Sequence, residues 1–390
     1  MESADVVVIG AGIIGCSVAY YLSQTGLKVC ILEQDSVASG ASGHGHGSMS
    51  TVGRDFERGP HYDLGLIGKN MYPQLVGEVQ EETGIDSLFH ERPGLSLAIL
   101  EEEEAIFKEA MSWQMNYVDM KWIDPEDIHQ IEPRITSKVI GGVLYSHSQV
   151  DAYRLSLGLV AAVEKRGGFL KIREAVGLKT KGDKVTGVLY QGGEIVCDNV
   201  VIAMGAWSGP VREWLDFPVP VKPLKGEVLH LRMNGDPPPI FIATARHGPI
   251  IPRKDGLLLC GSTGGVSMSG SDVTAKHGFD PKDMTEWSFD LHPTEDGRRT
   301  ILEKVTEIMP DIADAYLVDH LAGVRPLSAD RMPIMGSVPS RRGVYLATGH
   351  GTKGIHLAAV TGKVVSQLIT VGKTDVPVAV ETFSPSRFVS

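Results

Sequence analysis

At roughly 150 residues per domain, the chain of 390 residues holds two or three domains, which excludes a stand-alone small binding module. Hydrophobic residues make up 42% and charged residues 22%, a globular balance that fits neither disorder nor a collagen-like or coiled-coil composition. The 37 Lys and Arg stand against 48 Asp and Glu, a formal net charge of −11 whose field repels phosphate backbones, so nucleic acid is not an expected partner. Cys16, Cys30, Cys197 and Cys260 match no metal-ligand or C-x-x-C spacing and predict buried free thiols in a reducing compartment. No run approaches the ~18 apolar residues of a membrane span. The first residues lack the basic and apolar regions of a secretory leader. A cytoplasmic location is the expectation.

The run Val6-Val7-Val8-Ile9 predicts a central parallel strand buried on both faces. It leads into Gly10-Ala11-Gly12-Ile13-Ile14-Gly15, a G-x-G-x-x-G, after which Ile14, Val18, Ala19 and Leu22 recur at helical spacing until Gly26. Gly10 makes the tight turn, Gly12 lets a pyrophosphate reach the helix N-terminus, and Gly15 lets helix and strand pack closely. A second strand, Val29-Cys30-Ile31-Leu32, ends in Glu33. A carboxylate there accepts from a ribose hydroxyl and repels a 2′-phosphate, which favours FAD or NAD over NADP.

After Glu33 and Gln34 comes a loop of small residues that includes Ser39, Gly40, Ala41, Ser42, Gly43, His44, Gly45, His46, Gly47 and Ser48. Such a loop suits backbone amides pressed against a pyrophosphate and a ring system, and it leans toward flavin. His44 and His46 form an H-x-H pair, but no third and fourth ligand stand at metal spacing, so no metal is predicted. Further along, Glu101 to Glu104 read as a solvated acidic run opening a helix, and Trp113, Met115, Tyr117 and Trp122 read as core packing. A helix from near Ala152 ends at Lys165-Arg166-Gly167-Gly168. Val228 to Arg232, Pro249 to Pro252 and Gly256 to Gly261 read as strands of an antiparallel sheet. A last strand, Val344-Tyr345-Leu346-Ala347, meets a second G-x-G-x-x-G at Gly349-His350-Gly351-Thr352-Lys353-Gly354. A helix follows on Ile355, Ala358, Ala359, Gly362, Val365 and Leu368. Too little chain follows Gly354 for a second complete nucleotide-binding half. This turn is therefore expected to aim a helix N-terminus at a cofactor already bound and to stabilise negative charge on it.

Several segments in this order resemble the D-amino-acid-oxidase superfamily, in particular its glycine oxidase, sarcosine oxidase and amino-acid dehydrogenase branch, over nearly the whole chain. Val200 to Ser208, with Gly205, Ala206 and Trp207, resembles its "AxGAWS" segment. Lys222-Pro223-Leu224-Lys225-Gly226-Glu227 is similar to its "P-x-K-G-[QE]". Ile250 to Gly256 with Gly261-Ser262-Thr263 resembles its antiparallel sheet. Ala322-Gly323-Val324-Arg325-Pro326 with Asp330 and Pro333 resembles "G-[LV]-R-P-x-x-x-D-x-x-P", and Phe383 to Phe388 resembles the "F-x-P-x-R-F" ending.

The resemblance implies an α/β fold. A discontinuous Rossmann-like FAD-binding domain would span 1–80, 145–220 and 321–390. A substrate domain with a mostly antiparallel sheet and helices would span 81–144 and 221–320. FAD would contact Gly10, Ala11, Gly12, Ile13, Ile14, Gly15, Glu33, Gln34, Ala41, Ser42, His46, Gly47, Ser48, Gly205, Trp207, Arg325, Gly351, Thr352, Lys353, Gly354 and Ile355, with Val176 flanking the adenine. The implied reaction oxidises the C–N bond of an amino or imino acid (D-, cyclic or N-substituted) by hydride transfer to flavin N5. The imine product hydrolyses to an oxo-acid, and oxygen, a quinone or an electron-transfer partner takes the electrons. Arg325 is the expected clamp for the substrate carboxylate, since a guanidinium grips a carboxylate with two prongs and a permanent charge.

The chain departs from glycine oxidases at Thr352, where they carry an arginine, and at Pro249, where they carry a tyrosine; glycine is thus not the expected substrate. His247 and Lys353 are candidate replacement contacts. His44 and His46 are candidate groups near the ring that stabilise charge or move a proton. A stretch similar to 41–47 carries a flavin-bonded histidine in dimethylglycine and sarcosine dehydrogenases, so a covalent link through His44 stays open beside the expected noncovalent binding. An alternative function is that of an FAD-binding subunit of a heteromeric opine- or sarcosine-type enzyme. Homo- or hetero-oligomers are both open.

Overall fold

The computed structural model describes residues 2–53, 55–244, 246–261 and 288–389; Ser262 and Thr263 of the resembled sheet lie outside them. Val6–Ile9 is a strand with every side chain buried. It pairs in parallel with Val29–Glu33 and Asn199–Ile202. Phe169–Ile172 and Val344–Thr348 extend the sheet in parallel, and Ile334–Ser337 closes one edge antiparallel. Alternation along the first strand sends Val6 and Val8 into one core and Val7 and Ile9 into another. The first core is shared with the helices Ile13–Ser23, Pro60–Thr83, Ala152–Lys165 and Gly354–Thr370. The second faces a small sheet of Glu2–Ser3, Ala175–Lys181, Lys184–Tyr190 and Gly193–Val196. Helices, parallel sheet and small sheet thus stack as the layers of a Rossmann-like α/β unit.

The turn from strand to first helix is set by glycine. Gly10 has φ +108°, and a Cβ there would stand 2.4 Å from the Ala203 carbonyl oxygen. A Cβ at Gly15 would stand 2.0 Å from the carbonyl oxygen of Gly10. Only a residue without a side chain lets both backbones approach so closely.

The second unit is a nine-stranded sheet running Tyr316–Ser328, Val221–Arg232, Leu258–Gly261, Ile250–Pro252, Phe241–Thr244, His90–Ala98, Gly141–Gln149 and Ser48–Met49, with Met120–Ile123 also paired to Gly141–Gln149. Its pairs are antiparallel except Phe241–Thr244 beside His90–Ala98. The domain boundaries read from sequence at 144/145 and 320/321 fall inside two of these strands, because strand ends carry no mark where a strand passes from one unit to the next. Glu227 fastens the helix Glu295–Ile308 to one face. Its carboxylate accepts from the Thr294 amide (3.1 Å) and hydroxyl (3.0 Å) and lies 2.9 Å from Nε2 of His320. The helix Glu101–Gln114 covers part of the other face. Its opening acidic run is not wholly solvated: Glu103 is fully buried and accepts from the amides of Ile99 and Leu100. Carboxylate acceptance of such N–H groups fixes the start of a helix from inside. The four cysteines are buried free thiols. Among the described residues, no helix is long and apolar enough to cross a membrane.

Gly15→Val places a branched side chain against backbone that no rotamer change can move. It is expected to lower stability in urea unfolding by about 3 kcal/mol. Gly26→Ala, at φ +82° with open space around it, is expected to cost only about 1 kcal/mol of backbone strain. Equal losses in the two variants would contradict the close-approach account of Gly15.

Candidate active site

A cavity of about 1170 Å³ lies where the carboxyl ends of the parallel strands meet the inner face of the large sheet. Ligands of open α/β sheets bind at such strand ends, where the turns into helices converge. Its walls include Gly10, Gly12, Ile13 and Ile14 of the first turn, Glu33 and Gln34, the 39–48 loop, Gly205 and Trp207, and the turn 351–355. Ala11 and Gly15 lie just beneath this wall and are not part of its surface.

At one end Glu33 accepts from the Ala11 amide at 2.7 Å and from the Asp35 amide at 3.0 Å. A carboxylate has about four lone-pair sites, so capacity remains for hydroxyl donors in the cavity. The helix Ile13–Ser23 has no side-chain cap from Gly12; instead Ser42 Oγ accepts from the Ile13 amide at 2.9 Å. This links the 39–48 loop to the positive end of the first helix. The loop is held tightly elsewhere: a Cβ at Gly47 would stand 1.8 Å from the Val150 carbonyl oxygen, and one at Gly40 would stand 3.2 Å from the Trp207 ring. Trp207 stacks on Phe289 with centroids 5.1 Å apart. Across the cavity the helix Gly354–Thr370 points its N-terminus inward with no side-chain cap. Gly205 and Gly351, at φ +53° and +54°, present backbone with nothing within 4 Å of a would-be Cβ. Two helix N-termini, open backbone and one acceptor at the far end suit a long ligand with a central pyrophosphate and a hydroxyl-bearing sugar.

The other end is built on the large sheet. Arg325 stands diagonally across from Gly226 in the pair of strands Tyr316–Ser328 and Val221–Arg232. A Cβ at Gly226 would lie 2.3 Å from its guanidinium nitrogens, so the side chain rests directly on that glycine. Burial pushes the guanidinium down to about 10, still charged at neutral pH. Lys353 reaches Asp55 at 2.5 Å. Burial would raise the Asp55 carboxyl, but the ammonium more than offsets it and the net direction is down.

His46 faces the same space, and burial, Arg325 and Lys353 together push it to about 4. Its Nδ1 accepts weakly from the Ser48 amide at 3.4 Å, so the neutral ring carries its hydrogen on Nε2. His44 lines the cavity with Nδ1 donating to the Gly40 carbonyl at 2.7 Å. Its Cβ stands 2.9 Å from where a Cβ at Gly323 would be.

Two residues singled out from the sequence stand elsewhere. Val176 is turned outward and 48% exposed, while its neighbours Glu174 and Ala175 line the cavity; in a strand, adjacent side chains point to opposite faces. His247 is held off the wall between Thr244 (3.3 Å) and Glu307 (3.1 Å). Thr352 and Pro249 do line the cavity, as do His350 of the second glycine turn, Trp113, and Asp55, Tyr145 and Phe241, for which last three the sequence offered no signal. Trp113, expected in the core, thus has one side on the cavity. Met115 and Tyr117 are more than half exposed.

Three buried histidines support this region. His61 accepts from the Glu57 amide, His350 lies 3.0 Å from the Thr361 hydroxyl, and His356 donates to the Gly65 carbonyl at 2.8 Å. Burial pushes them down to about 4, about 3 and about 3. Unfolded histidine binds a proton near 6.5, so below that pH the unfolded chain takes up protons that the folded chain refuses. Each histidine then lowers stability by about 1.4 kcal/mol per pH unit until its folded pKa is reached. Urea unfolding is expected to show stability falling from pH 7 to pH 5, and His350→Gln to make the fall shallower. A profile unchanged by that substitution would count against neutral burial of His350.

Residues 5–368 match the family described as FAD dependent oxidoreductase. Curated relatives include a glycine oxidase of Geobacillus kaustophilus (strain HTA426), 29% identical over 94% of this chain and 92% of the relative. A glycine oxidase of Pseudomonas aeruginosa is 30% identical over 94% of this chain and 95% of the relative. The crystal structure of glycine oxidase from Geobacillus kaustophilus superposes with a TM-score of 0.89 at 26% identity, covering 100% of both chains. The matched family, spanning both glycine turns and the Arg325 strand, makes this chain a member of the FAD-dependent oxidoreductases of the D-amino-acid-oxidase type.

Proposed function

We propose that the enzyme oxidises the C–N bond of an amino or imino acid other than glycine, with Arg325 holding the substrate carboxylate. The observation that carries this reading is the Arg325 guanidinium laid over Gly226 on the cavity wall. A buried, permanently charged fork is suited to a planar carboxylate. Bound FAD supplies the hydride acceptor. Glu33 would hold its ribose, the Gly10–Gly15 turn with Ser42 its pyrophosphate, and the helix that begins at Gly354 would supply positive potential to the ring.

Lys353 adds a second cation to the substrate end and is steadied by Asp55. Burial first, then Arg325 and Lys353 against an opposing Asp55, push His46 down, and the same loss of water and the same two cations disfavour an ammonium on a bound substrate. The substrate amine is thereby bound neutral, its proton given up to solvent water on entry and not to a dedicated base in the site. His46, neutral with a hydrogen on Nε2, acts as a donor and not as the proton acceptor. Thr352 and Pro249 on the wall replace the arginine and tyrosine of glycine oxidases, which supports a substrate other than glycine. The relatives named as glycine oxidases support an amine-oxidising reaction on the same scaffold.

The test is anaerobic: the flavin band is recorded while D-, L-, N-methyl and cyclic amino acids are added in turn. One class is expected to bleach it, and Arg325→Ala to lower the efficiency of bleaching by about a hundredfold or more, the loss of one partner of a buried charge pair. If dithionite bleaches the flavin and no amine does, the chain is instead an FAD-binding subunit that needs a partner, or it acts on another donor. Acid precipitation is expected to release the flavin into the supernatant, since the His44 Nδ1 is already engaged with Gly40. Flavin retained on the precipitated chain, and lost in His44→Ala, would show a covalent bond.

A further inference from the structure

We infer that the large-sheet wall of the cavity is a pocket for an uncharged apolar group on the substrate, so that bulky apolar amino or imino acids are preferred to glycine and sarcosine. This inference rests on the amine-oxidation reading above and names its substrate class.

Val52, Phe107, Tyr145, Val228, Phe241 and Ala243 line the cavity and belong to one apolar cluster. Their convergence follows from strand geometry. Phe241 and Ala243 are two apart on one strand, so both project to the cavity face. Val228 is two residues beyond Gly226 on the same face of its strand, roughly 7 Å along it. The Arg325 guanidinium lies on Gly226. A carboxylate held there therefore directs the group on its α-carbon or nitrogen toward Val228 and the aromatic rings behind it.

The back of the pocket is flat and uncharged. His147 stacks on Phe241 with centroids 3.7 Å apart and planes 6° from parallel. It is 1% exposed, and neither ring nitrogen has a hydrogen-bond partner. Burial first, then Lys69, holds its imidazole well below the usual range, so it serves as a neutral ring. The polar atoms beside Phe241 and His147 are hydroxyls: Tyr145 lies 3.4 Å from the Ser96 hydroxyl, and burial pushes its phenol up to about 12. The charged residues Arg246 and Glu102, which also line the cavity, are paired with each other at 2.7 Å, so a charged side chain laid against the apolar cluster would lose its water without a free counter-charge from that pair. An apolar one loses only water, which is favourable in proportion to the area covered.

The test uses the FAD-loaded enzyme and two readouts. In anaerobic flavin reduction, leucine, phenylalanine, proline (each enantiomer) and N-benzylglycine are compared with glycine and sarcosine. In flavin spectral titration, which needs no turnover, benzoate is compared with acetate. At least one bulky amine is expected to reduce the flavin tenfold more efficiently than glycine or sarcosine, and benzoate to bind at least tenfold more tightly than acetate. Ala243→Phe, which fills the pocket, is expected to bring both ratios close to one. Val52→Phe serves if that variant does not fold. Wild-type ratios near one, or ratios unchanged in a folded FAD-loaded variant, overturn the pocket. Glycine reduction as efficient as any, with acetate equal to benzoate, overturns the pocket and leaves amine oxidation standing. A benzoate preference that Ala243→Phe abolishes, with no amine reducing the flavin, upholds the pocket and ends the amine-oxidation reading.

Discussion

The register of one strand pair positions both halves of the site. Val221–Arg232 and Tyr316–Ser328 pair over nearly their full length, and Gly226 stands opposite Gly323. Because Gly226 has no side chain, the Arg325 guanidinium can lie flat upon it; because Gly323 has none, His44 of the 39–48 loop can close against the same strand pair. The loop is tied in turn, through Ser42, to the N-terminus of the first helix. A slip of one residue would send Arg325 to the opposite face, where Glu227 fastens a helix. Arg325 and the 39–48 loop are therefore fixed by a single alignment of two backbones.

Electrostatics follow from that geometry. The chain as a whole is acidic, yet its cavity concentrates Arg325 and Lys353 beside histidines that burial keeps neutral. Neutral imidazoles add hydrogen-bonding capacity without adding positive charge. Beside His46 the nearest cations are Arg325 and Lys353, the latter balanced by Asp55. An anionic group is drawn to such a spot and a second ammonium is not, which is the pattern needed for an amino acid bound by its carboxylate with its amine neutral.

The cofactor half was readable from sequence because its determinants are local. A β-branched run, three glycines, a helical stripe and a terminal carboxylate occur within one stretch, and two of the glycines, Gly10 and Gly15, make backbone approaches that a Cβ would destroy. Arg325 was readable only through resemblance. Val176 illustrates the limit of position without register: a one-residue shift along a strand decides between the cavity and solvent, and it is Ala175 that faces inward. Tyr145 and Phe241 left no trace in the sequence, since what unites them is membership of a nine-stranded sheet whose strands come from distant parts of the chain, and Asp55 left none because it meets Lys353 from nearly three hundred residues away. Glu103 was misread for a related reason. An acidic run at a helix start looks solvated, and nothing local tells which of four carboxylates turns inward.

These two kinds of determinant divide the site's labour. Where the dinucleotide lies, contacts are made mostly by backbone that glycines bring close, so the wall offers few side chains to alter. At the large-sheet end, the cavity is lined by side chains projecting from the sheet and from the helix Glu101–Gln114. Replacing one of those changes shape and polarity without touching the turns that hold the cofactor. Thr352 and Pro249 show the consequence within this chain. Both stand on the cavity wall, and the backbone turn around 351–354 ends in an uncapped helix N-terminus. The cofactor end thus depends on backbone, while the shape and polarity of the opposite wall depend on side chains.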